Sequence, residues 1–164
     1  MPMPMPMPMP LLLILIPILF PAFVSAASFD TGAPMPVLTL KDQHHTTQTV
    51  DANTRVLIFS AERDVSALVE TALADQTADS LSAAGIQYVS DISAMPGMVT
   101  SIIALPKMRK RPYPMMLGRE EEETAMFPRE PGKATLIVSE AGSITSVQFI
   151  GDAASLRAAL GMAP

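Results

Sequence analysis

Cysteine is absent from the 164 residues of this chain. Its absence excludes disulfide bonds, thiol nucleophiles and thiolate metal ligands together. The glycine spacings that hold dinucleotides or nucleoside triphosphates, GxGxxG and the P-loop, do not occur, and no GxSxG segment presents a serine nucleophile. These motif-defined activities therefore have no support in the sequence, and no cofactor is expected.

Charged side chains are absent from residues 1–27, which read MPMPMPMPMP, then LLLILIPILFPAF, then VSAA. An apolar core from Leu11 to Phe23, followed by small residues, is typical of a secretory leader. We expect cleavage after Ala26 or Ala27, although no Lys or Arg precedes the core. The alternative is an uncleaved membrane anchor, but a spanning helix needs about 20 continuous apolar residues and two prolines interrupt a shorter run. The sequence predicts a signal peptide over residues 1–27 and a periplasmic location.

Residues 28–164 are predicted to form a single domain, and they carry the whole formal net charge of -5. This acidic balance argues against nucleic acid and anionic membrane surfaces as partners. We expect contact with a membrane only through an uncleaved leader.

The first half of the mature chain has the pattern of a βαβ unit. A short strand is expected over Val37 to Leu40, and the segment from Lys41 to Asn53 is polar with a turn. RVLIFS, from Arg55 to Ser60, is a near-continuous apolar run that suits a strand buried on both faces of a sheet. A helix capped by Asp64 and stopped by Gly85 follows, and the apolar spacing predicts a break near residues 75–77. Strand character returns over residues 86–92, so a parallel pair of strands is predicted.

The second half of the mature chain adds a helix, an edge strand and a hairpin. A helix begins near Pro96, carries Met98, Val99, Ile102, Ile103 and Leu105, and is limited by Pro106. A short edge strand is expected over residues 115–117. Two strands, residues 134–139 and 144–149, flank a glycine-bearing turn, and a closing helix begins at Asp152.

This order of elements resembles the thioredoxin-like superfamily. Gly32-Ala33-Pro34, Val37-Leu38-Thr39-Leu40 and Asp42-Gln43 are similar to the first strand of exported thiol-disulfide oxidoreductases and peroxiredoxin-type proteins. The segment Val56 to Ala61 resembles the strand that precedes their redox loop, and residues 132–161 resemble their closing hairpin and helix. The resemblance implies an α/β fold, a three-layer sandwich around a mixed sheet.

The resemblance also implies where function is located, and there the sequence departs from the family. Asp64 and Ala67 stand where the family has the two cysteines of its CxxC pair, so dithiol and cysteine peroxidase chemistry are excluded. Ala134 falls near the slot of the family's cis-proline, with Pro131 a little upstream. We expect a non-catalytic module that binds an exported protein or peptide.

The predicted interaction surface has two parts. The loop at the redox-motif position contributes Glu62, Arg63, Asp64 and Ala67. The facing segment contributes Met95, Pro96, Gly97 and Ala134.

The residues leave three other interpretations to consider. Glu62 and Asp64 could serve a carboxylate-dependent enzyme, but the preferred interpretation is that Asp64 is an N-cap and Glu62 is exposed. Met95 and Met98 could hold Cu(I), since thioethers are soft ligands, but methionine is also ordinary core filler. The adjacent pair His44-His45 is interpreted as exposed polar surface rather than a metal site.

Overall fold

The computed structural model describes residues 28–163 and the single residue Met3. Apart from Met3, the predicted leader lies outside the described residues. The strands are β1 Leu38–Lys41, β2 Thr47–Val50, β3 Val56–Ser60, β4 Ile86–Asp91, β5 Met116–Gly118, β6 Ala134–Glu140 and β7 Ser143–Ile150. The α-helices are α1 Arg63–Ala72, α2 Ala78–Ala84, α3 Gly97–Val99, α4 Leu105–Met108, α5 Glu121–Thr124 and α6 Ala153–Ala159.

Five strands form a mixed sheet in the order β5-β4-β3-β6-β7. Strands β3, β4 and β5 are parallel, whereas β6 runs antiparallel to β3 and to β7. The predicted βαβ unit, edge strand and C-terminal hairpin are confirmed. Residues 57–60 of the central strand β3 are all buried, as a continuous apolar run predicts for a strand covered on both faces.

Both faces of this sheet are covered, which gives three layers. On one face, side chains of α1, α4 and α6, such as Val69, Leu105 and Leu156, pack against the sheet. On the other face lie Phe29, Phe127 and the two-stranded antiparallel sheet β1-β2. Strand β2, with the sequence TQTV, was not predicted, because three of its four side chains are polar. It forms because it pairs with β1, in the register Leu38 to Val50.

The helical stretch after β3 is broken, as the lapse in apolar spacing predicts. Helix α1 ends at Ala72, and α2 begins after Thr77, whose side chain and that of Ser80 form a capping box. Gly85 ends α2 with a φ of 67°, the left-handed conformation that glycine adopts without strain. The cap predicted for α1 was wrong: Glu62 is the N-cap residue, and Asp64 lies inside the first turn. A carboxylate in that turn is favourable because it faces the positive end of the helix dipole.

Residues 97–108 form one composite helix made of α3, a π-helical turn over Thr100–Ala104, and α4. The prediction that Pro106 limits this helix was wrong. Proline lacks the N–H that an α-helix needs and its ring clashes with the preceding turn. The wider π turn immediately before α4 changes the hydrogen-bond register there, and the chain continues through Pro106 to Met108.

The C-terminal elements match the sequence prediction closely. Ala141 and Gly142 have φ values of 49° and 79°, which suits the tight turn between β6 and β7. Asp152 caps α6 by accepting a hydrogen bond from the backbone N–H of Ser155 at 2.8 Å. No helix among residues 28–163 is long and apolar enough to cross a membrane.

Candidate functional site

The carboxyl ends of the parallel strands β3, β4 and β5 meet at one edge of the sheet, and ligands of open α/β sheets commonly bind there. Ala61 follows β3 and leads into α1, Ile92 follows β4, and Arg119 follows β5. The start of β6 lies at the same edge because β6 runs antiparallel to β3. The loop predicted to act, residues 61–67, therefore lies where this fold can place a binding site.

The structure separates the four predicted residues of that loop. Glu62 Oε1 accepts a hydrogen bond from the backbone N–H of Gly132 at 2.9 Å, so this side chain connects the start of α1 to the loop before β6. Asp64 is exposed and does not line the groove described next. Arg63 and Ala67 do line it.

An open groove of about 600 Å³ separates α1 from the composite helix, and we call it the α1 groove. It is lined by Arg63, Ser66, Ala67, Glu70, Met95, Val99, Ile103, Ala104, Lys107, Met108 and Arg111. Its walls are mostly apolar, with charged groups among them. The groove thus brings together Arg63 and Ala67 of the predicted loop and Met95 of the predicted facing segment.

The composite helix exposes large apolar side chains beside this groove. Val99 and Ile103, four residues apart, line the groove and are 40% and 54% exposed. Met98 and Ile102, also four residues apart, form the neighbouring row and are 75% and 66% exposed. Residues at this spacing share one face of a helix. Four exposed apolar side chains on one turn-and-a-half of helix form a contiguous patch, which is typical of an interaction surface.

Four hydroxyl groups form a hydrogen-bonded cluster behind Ser66. Ser60 Oγ lies 2.9 Å from Ser66 Oγ and 2.8 Å from Tyr88 Oη, and Ser90 Oγ lies 3.3 Å from both serine oxygens. Burial raises the pKa of Tyr88, although these hydrogen bonds oppose the rise. No histidine or carboxylate among the described residues hydrogen-bonds to the cluster, so Ser66 lacks the base that would activate a nucleophile. The cluster fixes α1 on the sheet.

A second polar cluster lies at the same edge, and sequence reasoning missed it. Asp91, at the end of β4, accepts hydrogen bonds from Ser93 N and Oγ, Thr124 Oγ1 and Arg129 Nη1 at 2.7–3.1 Å. Its side chain is 6% exposed. Desolvation alone would raise the pKa of Asp91, but the hydrogen bonds from Ser93, Thr124 and Arg129 outweigh it and lower that pKa. A carboxylate near the end of a strand of mostly buried residues was the only sequence signal for this cluster.

The remaining predicted residues lie in different environments. Ala134 is fully buried at the start of β6, so its side chain cannot contact a partner. Pro96 and Gly97 are exposed at the start of the composite helix. Met95 packs against the core, whereas Met98 is largely in solvent. The different environments of Met95 and Met98 do not support the Cu(I) hypothesis. The carboxylate-enzyme hypothesis is not supported either, because Glu62 is hydrogen-bonded to Gly132.

The sheet order, the helix after its central strand and the closing hairpin and helix define a thioredoxin-like fold. Solved structures agree. A peroxiredoxin-like protein from Aquifex aeolicus matches with a TM-score of 0.53 and 8% identity, covering 83% of this chain and 88% of that chain. The thioredoxin domain of a thiol-disulfide oxidoreductase from Bacteroides vulgatus matches with a TM-score of 0.51 and 12% identity, covering 80% of this chain and 96% of that chain.

StoA from Bacillus subtilis matches at a TM-score of 0.52 and 14% identity, covering 77% of this chain and 97% of that chain. No protein-family model and no curated protein sequence matches the chain. Identities this low establish a common fold only. The chain is therefore a thioredoxin-like domain without cysteine, and thiol-disulfide chemistry is excluded for it.

Proposed function

We propose that this chain is an exported, non-catalytic thioredoxin-like module that binds a protein or peptide in the α1 groove. The observation that carries this proposal is the exposed apolar patch of Met98, Val99, Ile102 and Ile103 beside an open groove. The groove lies next to the start of α1, the position from which the resembled redox families act. Loss of both cysteines with retention of an open groove fits a domain that binds without thiol chemistry.

The energetics of the patch support a binding role. Covering an exposed leucine, isoleucine or methionine side chain contributes about 1.5–3 kcal/mol when its whole surface is removed from water. The four patch residues are only partly exposed, so a partner that covers them gains a part of this amount from each. This gain offsets part of the cost of association for a partner that covers the patch.

Replacing Ile103 with aspartate should weaken binding about 100-fold, because the isoleucine contact would be lost and a bound peptide would have to remove a carboxylate from water. Random 12-residue peptides would be selected by display on the purified full-length chain. Dissociation constants of the selected peptides would then be measured by fluorescence polarisation. Ile103 is 54% exposed, so the variant should fold.

Ala154→Asp is the matched control. Ala154 is exposed in the first turn of α6, where an added carboxylate is tolerated, and it lies outside the groove. We expect its dissociation constants to match those of the unmodified chain. Equal binding by Ile103→Asp and the unmodified chain would show that the groove is not the site.

Export predicts a defined mature terminus. When the full chain is expressed in a Gram-negative bacterium, N-terminal sequencing of the periplasmic fraction should begin at Ala27 or Ser28, because small residues precede these positions. Deleting residues 11–23 removes the apolar core and should leave the uncleaved chain in the cytoplasm. Recovery of the unaltered chain in the cytoplasm with Met1 still present would contradict the proposal.

A further inference from the structure

We propose that the α1 groove selects acidic peptides, in which Asp or Glu flanks apolar side chains. This inference rests on the proposed function and names the class of ligand for the same site. Charge is unevenly distributed along the chain. Between Asp91 and Glu120 the sequence has no acidic residue and five basic ones, Lys107, Arg109, Lys110, Arg111 and Arg119, although the whole chain carries a net charge of -5.

Cations without partners lie on both walls of the groove. Arg63 lies at the start of α1, and Lys107 lies on the composite helix opposite. Within residues 28–163, neither side chain has a carboxylate within 4.0 Å, whereas four other basic residues do. One such cation on each wall of an apolar groove is complementary to a ligand with carboxylates on both sides of its apolar contact.

Arg111 adds a third basic side chain to the lining of the groove. Its Nη2 pairs with Glu70, the single acid that lines the groove, so that acid is already neutralised. Its Nε is buried and has no hydrogen-bond acceptor among the described residues. The basic residues that line the groove, Arg63, Lys107 and Arg111, therefore outnumber Glu70.

The shape of the site favours a peptide over a lipid surface. Val99, Ile103 and Lys107 line a concave groove between two helices, which a flexible chain can enter and a flat bilayer cannot.

Three synthetic 12-residue peptides with the same central Leu-Phe-Leu test the inference: one flanked by Asp and Glu, one by Asn and Gln, and one by Lys. Dissociation constants for the full chain would be measured by fluorescence polarisation at low and high salt. We expect the acidic peptide to bind about tenfold more tightly than the neutral one and the basic one to bind most weakly. Added salt should reduce this preference, because the rim charges are screened.

The double variant Arg63→Glu with Lys107→Glu should reverse the preference, and Lys41→Glu, an exposed lysine on β1 outside the groove, should leave it unchanged. Equal binding of the three peptides, abolished by Ile103→Asp, would overturn the acidic preference while the groove remained the site. Absence of binding by every synthetic and selected peptide would overturn the proposed function itself. Binding to phosphatidylglycerol vesicles without binding to the acidic peptide would contradict a peptide ligand and would indicate a membrane surface instead.

Discussion

Replacing Phe59 with alanine is expected to lower the free energy of unfolding by about 3–5 kcal/mol, the usual range for removing a buried aromatic ring. Phe59 is 1% exposed in the central strand β3. Its ring stacks on that of Phe127 with centroids 4.3 Å apart, and Phe127 stacks in turn on Phe29 at 4.4 Å. Each aromatic pair adds about 0.5–1.5 kcal/mol beyond burial.

The stack also connects the core to the edge of the sheet where the groove begins. The guanidinium carbon of Arg129 lies 5.2 Å from the centroid of the Phe59 ring, a cation–π contact. Loss of the ring would therefore loosen the segment from Phe127 to Gly132, which contacts Glu62 at the start of α1.

Chemical denaturation checks this expectation, with Phe149→Ala as the matched control. Phe149 lies on the edge strand β7 and is 37% exposed, so its removal should cost much less. Similar losses of stability for the two variants would contradict the prediction, because they would show that burial and stacking give Phe59 no greater contribution than Phe149.

Replacing Asp91 with alanine is expected to lower the free energy of unfolding by about 2–3 kcal/mol at neutral pH. The change removes an acceptor from charged and hydroxyl donors, and it leaves the buried hydroxyl of Thr124 without its carboxylate partner. The same change removes the ion pair with Arg129. Asp30→Ala is the control, because Asp30 is exposed and only its backbone carbonyl bonds to a neighbour.

The loss in Asp91→Ala should depend on pH in a defined direction. The hydrogen bonds from Ser93, Thr124 and Arg129 lower the pKa of Asp91 in the folded state despite desolvation, below its value of about 3.9 in the unfolded chain. A lowered carboxyl pKa stabilises the fold above the unfolded value, and the contribution is lost as pH falls through the folded value. The difference between the unmodified chain and Asp91→Ala should therefore be constant near neutrality and shrink below about pH 4. A difference that grew on acidification would contradict this assignment.

Local patterns predicted most of the fold. The run from Arg55 to Ser60, the stop at Gly85 and the cap at Asp152 each depend on a few neighbouring residues, and each element formed as predicted. Strand β2 depends instead on pairing with β1, so its polar sequence did not indicate it. The extension of the composite helix through Pro106 depends on a π turn that helical spacing does not reveal.

The α1 groove and the Asp91 cluster were harder to predict, because they depend on which elements pack against each other in the folded chain. The spacing of Met98, Val99, Ile102 and Ile103 indicates a shared helical face, but periodicity does not tell whether a neighbour covers that face. In the structure Leu105 is buried and those four residues are exposed. The partners of Asp91 lie 33 and 38 positions away at Thr124 and Arg129, a distance that no local motif spans.

Methyl NMR tests most directly the proposal that a peptide occupies the α1 groove. The full chain, labelled with carbon-13 at isoleucine, valine and methionine methyl groups, would be titrated with the acidic peptide. We predict that the largest shifts occur at Met95, Val99 and Ile103, which line the groove. Shifts concentrated at Val147 and Ile150 of strand β7, with the groove methyls unmoved while the peptide binds, would contradict the claim.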